Sequence, residues 1–389
     1  DDINEGISGV ESFFDKDLRN KEKINIPLSL TLDSNLQYLI RKELIKAKTH
    51  FKTIGSAALL MNVENGEILS LVSLPDYDLN KRVSIDDNIY TNKITLGVYE
   101  LGSVFKTFTI AAGLENKVIN SNTIFKNLEN SLNCDKYKIT EHDDLPKDLS
   151  TEQILVRSSN IGSVRIAQKI GIEKYKNFLK KLGILDTINF DLEEIGTPLP
   201  FVWGKCKLAT SSYGHGITTT PLQLAKAYAI LGNGGYKIKP SILETKKKSL
   251  EKKEQIISSK TSDTVNLMLR KVVSLDEGTA NFADIEGYDV GGKTGTSLKY
   301  NSNAKLNTFV SIFPASKPKY VLLVMLDEPK PAPNFLYEFP PSEKFPNGYK
   351  HKGETRNSSG WNAVVVAGKI IEKIGPILAI NNLEASTKF

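Results

Sequence analysis

A chain of 389 residues, 40% hydrophobic and 25% charged, has the apolar content for one large domain or two ordinary ones, which excludes a disordered or fibrous polypeptide. The net charge is +6, but the lysines are scattered in short runs such as Lys246-Lys247-Lys248 and Lys252-Lys253, without the interleaved aromatics of a nucleic-acid platform. They are expected to be solvated surface, and no nucleic-acid partner follows.

Residues 1–27 are polar and irregular, closing on Ile24-Asn25-Ile26-Pro27, and are expected to be the end of another module. Asp33 offers a helix cap, and Leu36, Leu39, Ile40, Leu44 and Ile45 recur at helical spacing, which predicts a helix over about 34–48. Ala57 to Val63, an Asn65-Gly66 turn and Ile68 to Ser73 predict a hairpin. The middle of the chain is mainly helical, with candidates at Ser103 to Asn116, within Thr151 to Ile170, at Glu173 to Leu182, and at Pro221 to Leu231, the last entered through proline. Strands return at Tyr288 to Ser297, Thr308 to Phe313 and Tyr320 to Leu326. Residues 327–359 carry little periodicity and are expected as a long loop. Trp361 to Ile380 reads as an apolar helix interrupted at Gly375-Pro376. This order predicts an α+β fold: an antiparallel sheet flanked by a helix from each chain end, with an inserted all-helical lobe and a cleft between lobe and sheet.

The two cysteines, Cys134 and Cys206, exclude a disulfide scaffold. Neither has a companion at metal-ligand spacing, so no metal site follows, and free thiols are the expectation. No apolar run reaches the length of a membrane span, about 18 residues. The first residue is Asp1, and the reading is of a piece of a longer protein whose anchor lies outside it.

Three short motifs carry the chemistry: Ser103-Val104-Phe105-Lys106, Ser158-Ser159-Asn160 and Lys293-Thr294-Gly295. Each alone is weak, but all three in this order form a known set for penicillin-binding proteins and serine β-lactamases. Ser103 follows Gly102 at a helix start, with Lys106 one turn along on the same face. A serine needs an adjacent base to act as nucleophile, and His50, His142, His215 and His351 show no triad pattern. Lys106 serves if burial, the helix start and Lys293 depress its pKa. Ser158 is the candidate proton relay and Asn160 the candidate amide reader. Gly291-Gly292 before Lys293 suits a substrate that pairs along a strand edge, with Lys293 on its carboxylate. The N–H groups of Ser103 and Thr296 are the candidate oxyanion hole. Taken alone, each motif also fits a structural role: a helix cap with a surface lysine, a second cap, and a glycine-bearing edge strand.

With these motifs the chain resembles a class B penicillin-binding protein, the division-type peptidoglycan D,D-transpeptidase. Thr95 to Gly102 leading into Ser103, Ser212-Tyr213-Gly214-His215-Gly216-Ile217 with Thr220-Pro221-Leu222-Gln223-Leu224, Glu277-Gly278-Thr279-Ala280, Ser73-Leu74-Pro75-Asp76-Tyr77-Asp78 and Leu326-Asp327-Glu328-Pro329 all resemble that family. The resemblance implies a remnant of the N-terminal pedestal at 1–27, a transpeptidase domain at 28–383 and a tail at 384–389. It implies that Ser103 attacks the penultimate D-alanine of a peptidoglycan stem peptide, expels the last D-alanine, and passes the acyl group to an amine of a second stem peptide during septal wall synthesis. It further implies Thr294, Gly295 and Thr296 as substrate-binding residues, β-lactams as trapping inhibitors, and no metal or organic cofactor. A lipid-linked glycan polymerase and division proteins are the implied partners, and a periplasmic domain tethered to the inner membrane is the implied location. The segment around Cys134 and the loop 327–359 fit the family poorly and receive no role.

Three other readings share the scaffold. A β-lactamase would use Glu194 to activate water, a D,D-carboxypeptidase would use water as acceptor, and a β-lactam sensor or division scaffold would not turn over.

Overall fold

The computed structural model describes residues 5–387, apart from residues 7, 23–25, 79–88, 90, 136, 245–253 and 342–344. The lysine runs at 246–248 and 252–253, and Ile24-Asn25, therefore lie outside the described residues.

One hairpin early in the chain and two linked hairpins late in it build the central sheet. The first joins β1 (Gly55–Asn62) to β2 (Ile68–Leu74). Its turn is held by side chains, with Asn62 accepting from the Glu64 N–H and Asn65 from that of Glu67. Gly66 takes the left-handed φ of 81° that this turn requires. Late in the chain come β3 (Gly291–Leu298), β4 (Lys305–Phe313) and β5 (Tyr320–Asp327). The five strands lie in the order β2-β1-β5-β4-β3, and every neighbouring pair is antiparallel. β5 is buried throughout and β1 in all but its last residue, so both read as apolar runs, whereas the edge strand β2 alternates.

α1 (Ser34–Phe51) starts at Asp33, whose carboxylate accepts from the Asn35 and Leu36 N–H groups at 2.8 and 3.1 Å. Between the hairpins the chain runs through α2 (Lys106–Glu115), α3 (Thr151–Val156), α4 (Asn160–Ile170), α5 (Ile172–Leu182), α6 (Lys205–Ser211), α7 (Pro221–Gly232) and α8 (Ser259–Ser274). α9 (Ala363–Thr387) follows the sheet. α1 and α9 pack on each other and on one face of the sheet; α7 and α8 cover the other. The lobe is helical apart from short two-stranded pieces, among them a hairpin of Ser131–Cys134 and Tyr137–Thr140. This is the expected α+β architecture.

Several local expectations change. The helix expected from Ser103 opens as a 3-10 turn, Gly102–Phe105, before α2 begins at Lys106. Residues 151–170 break at Ser158, which sits at a φ of 61°. Ser159 then caps α4, its Oγ accepting from the Gly162 N–H at 2.9 Å. α9 continues through Pro376 to Thr387, past the expected tail start at 384, because buried Ile370, Ile371, Ile374 and Leu378 hold it on the sheet across the lost hydrogen bond. The loop 327–359 contains a hairpin, Leu336–Phe339 with Tyr349–Lys352, whose Tyr337 packs against Phe282 and Trp361. Strands of four residues are too short to show a period.

Cys134 and Cys206 are not free thiols. They form a disulfide across a sequence separation of 72 residues, with Cα atoms 5.4 Å apart. The bond joins the 131–140 hairpin to α6, elements whose proximity no local spacing records.

Candidate active site

Backbone contact places Ser103. Tyr99 and Thr219 exchange both main-chain hydrogen bonds at 3.0 Å, and Ser297 Oγ donates to the Glu100 carbonyl at 2.6 Å. Gly102 takes a φ of 65°, and a Cβ there would lie 2.6 Å from the Thr296 carbonyl. At Gly295 a Cβ would lie 2.2 Å from the Leu101 carbonyl. Two glycines thus let the approach to Ser103 press directly on the backbone of β3. Ser103 itself is half-buried in its 3-10 turn, between buried Gly102 and Val104. Lys106, the first residue of α2, is fully buried.

The three motifs converge on one hydroxyl. Ser158 Oγ accepts from Lys106 Nζ at 3.0 Å and from Lys293 Nζ at 2.9 Å. Lys106 Nζ also donates to the Ser158 carbonyl. Lys293, fully buried on β3, reaches the Thr294 carbonyl and Oγ1 at 3.4 Å each. The left-handed φ of Ser158, uncommon for a residue with a side chain, presents carbonyl and hydroxyl to the same amine.

Burial decides the charge of both amines. Removing an ammonium from water disfavours the charged form. Desolvation lowers the pKa of Lys106 to about 7, against the raising influence of Glu141 and then Asp143. Lys293 is lowered well below its ordinary value, first by burial and then by the neighbouring Lys106. At neutral pH the site therefore holds an amine able to take a proton.

The remaining residues frame this centre. Asn160 opens α4 and donates its Nδ2 to the Thr140 carbonyl at 2.8 Å, while its Oδ1 is buried without a hydrogen-bond partner. Thr294 Oγ1 lies 2.9 Å from Thr279 Oγ1, and Thr296 Oγ1 accepts from the Ser359 N–H at 3.0 Å. Gly295 abuts Leu101, as above. All eight residues singled out in the sequence thus lie on the 3-10 turn, the start of α2, the α3–α4 break or β3. Glu194 does not join them; its Oε1 accepts from the Gly9 N–H at 2.6 Å. Glu141 and Thr279 received no role from the sequence. Thr279 lies in a segment quoted for the resemblance, but no motif marks Glu141. Among the described residues, no group of three or more His, Cys, Asp or Glu side chains is placed to hold a metal ion.

A helical lobe closing a serine and two buried lysines against a sheet edge defines a serine acyl-transfer site of the penicillin-binding kind. Residues 56–338 match the penicillin binding protein transpeptidase domain. The chain belongs to that family, on its class B, division-type branch. It is 32% identical to the "Probable peptidoglycan D,D-transpeptidase FtsI" of Caulobacter vibrioides, over 96% of this chain and 63% of that protein. It is 33% identical to the FtsI of Buchnera aphidicola (84% and 62%) and 30% identical to "Stage V sporulation protein D" of Bacillus subtilis (84% and 57%). The chain thus spans about three-fifths of the length of these relatives. Among solved structures, the transpeptidase domain of Burkholderia pseudomallei penicillin-binding protein 3 superposes with a TM-score of 0.74 at 26% identity, covering 90% of this chain and 96% of that one.

Proposed function

We propose that this chain is the catalytic part of a peptidoglycan D,D-transpeptidase acting in septal wall synthesis, with Ser103 as nucleophile and Lys106 as its base. Support comes from the activity for which the relatives are named and, above all, from Ser158 Oγ lying between the two lysine amines. Ser103 Oγ attacks the carbonyl of the penultimate D-alanine while its proton passes to Lys106. The oxyanion that forms is met by the N–H groups of Ser103 and Thr296. Ser158 relays a proton to the leaving amine, the bond to the last D-alanine breaks, and an acyl-serine remains. An amine of a second stem peptide attacks that ester, loses a proton back through Lys106, and frees Ser103. Lys293, with Thr294, Gly295 and Thr296, receives the substrate carboxylate, whose negative charge favours protonation of the buried amine. The buried, unpartnered Oδ1 of Asn160 is suited to accept from a substrate amide N–H.

The proposed domains are 1–27 as the end of a pedestal, 28–383 as the transpeptidase domain and 384–389 as a tail, into which α9 continues as far as Thr387. The proposed location is periplasmic, tethered to the inner membrane outside this chain. A disulfide suits an oxidising compartment, and no helix among the described residues is long and apolar enough to cross a membrane. A lipid-linked glycan polymerase and division proteins are the proposed partners.

The test is intact mass after exposure to benzylpenicillin, with peptide mapping. One adduct on the peptide carrying Ser103 is expected, absent in Ser103→Ala and in a folded Lys106→Ala variant. Labelling that survives Ser103→Ala removes that residue from its role.

A further inference from the structure

The end of a segment that fits the family poorly supplies a carboxylate to the α3–α4 break. Glu141 follows the 131–140 hairpin, and both its oxygens are used at the α3–α4 break. Oε1 accepts from Ser159 Oγ at 2.6 Å and from the Ile161 N–H at 2.9 Å; Oε2 accepts from the Asn160 N–H at 2.7 Å. The preceding residue, Thr140, accepts the Asn160 side-chain amide through its carbonyl. One dipeptide therefore fixes the backbone and side chains on the C-terminal side of Ser158. These N–H groups open α4 and have no intrahelical acceptor, so a charged acceptor is the strongest available. The hairpin is itself anchored, because Cys134 is bonded to Cys206 on α6.

We propose that Glu141 is a positioning residue for the acylation reaction, holding Ser158 and Asn160 in register with the two lysines. This inference rests on the reading of Lys106 as the base. The carboxylate's second effect is electrostatic. It is the larger of the two influences that favour the charged form of Lys106, Asp143 being the other. The further groups facing that amine are Lys293, whose pKa is lowered in part by Lys106, and His142, lowered by burial and then by Lys106. The dominant cause at Lys106 remains burial, so Glu141 tempers a shift that burial produces.

The test compares second-order acylation by benzylpenicillin across pH in the wild type, Glu141→Gln, Glu141→Asp and Lys106→Ala. Removing the carboxylate charge lowers the pKa of Lys106 further, so neutral amine persists to lower pH. The acid limb of Glu141→Gln is therefore expected below that of the wild type, which lies near the Lys106 value of about 7. Its plateau is expected to fall between about tenfold and a hundredfold, the scale of a small misplacement of reacting groups. Glu141→Asp keeps the charge and shortens the reach, so its plateau falls while its acid limb stays; if the Gln variant does not fold, this arm carries the test. A Gln limb that coincides with the wild type, or an Asp plateau equal to wild type, overturns the inference. Normal acylation in Lys106→Ala removes the base itself, an outcome distinct from either.

Discussion

At the scale of the residue, Lys106 is a cation buried so deeply that its neutral form competes near pH 7. Such a group costs stability. Its pKa is about 7 in the folded protein and about 10.4 in an unfolded chain. Between those values the unfolded state holds a proton that the folded state has lost, so stability rises with pH, by roughly 1.4 kcal/mol per pH unit from this one group. Lys106→Met removes that slope. Denaturant midpoints at pH 7 and 9 are expected to rise more in the wild type than in Lys106→Met, with the variant the more stable at pH 7. An identical pH dependence in both proteins would show that the amine is not held neutral by burial. Lys293, also lowered below its ordinary value, contributes in the same direction, and less so in Lys106→Met, which removes the part of its shift that Lys106 causes.

At the scale of the element, the site depends on two close approaches. The 3-10 turn meets β3 through Gly102 and Gly295, and Gly295→Ala would drive a Cβ to 2.2 Å from the Leu101 carbonyl. Relief requires the turn to leave the strand, separating Ser103 from Thr296. A loss of penicillin acylation of about tenfold or more, with little change in secondary structure by circular dichroism, is expected; a variant acylating at the wild-type rate would count against that contact as a determinant. The second approach is the 131–140 hairpin on α6. Its disulfide spans 72 residues, and the chain-entropy argument for a loop of that length gives roughly 4 kcal/mol of stabilisation. Urea unfolding with and without reductant measures it, and equal midpoints would refute it.

At the scale of the molecule, the fold engages elsewhere two carboxylates that a hydrolase would need free to activate water. Glu194, the residue that the alternative β-lactamase reading would use to activate water, is bonded to the N-terminal segment at Gly9. Both oxygens of Glu141 are taken up by the start of α4. A benzylpenicillin adduct on Ser103 is therefore expected to outlast removal of free drug by far longer than the time taken to form it. Mass spectrometry during a chase measures this, and continuous product release would favour the hydrolase reading.

The sequence alone determined the elements whose cause is local. Asp33 caps α1, Asn65-Gly66 turns the first hairpin, and Pro221 opens α7, because each signal acts within a few residues of itself. Ser103, Lys106, Ser158, Asn160 and Lys293 were legible because their motifs are short and lie in a known order. Glu141 was not, since it meets Asn160 from 19 residues away and follows a hairpin with no motif. The pairing of Cys134 with Cys206 was misread for the same reason. Only the tertiary structure decided these, together with the depression of both lysine pKa values, because burial and contact between distant segments depend on where the whole chain packs.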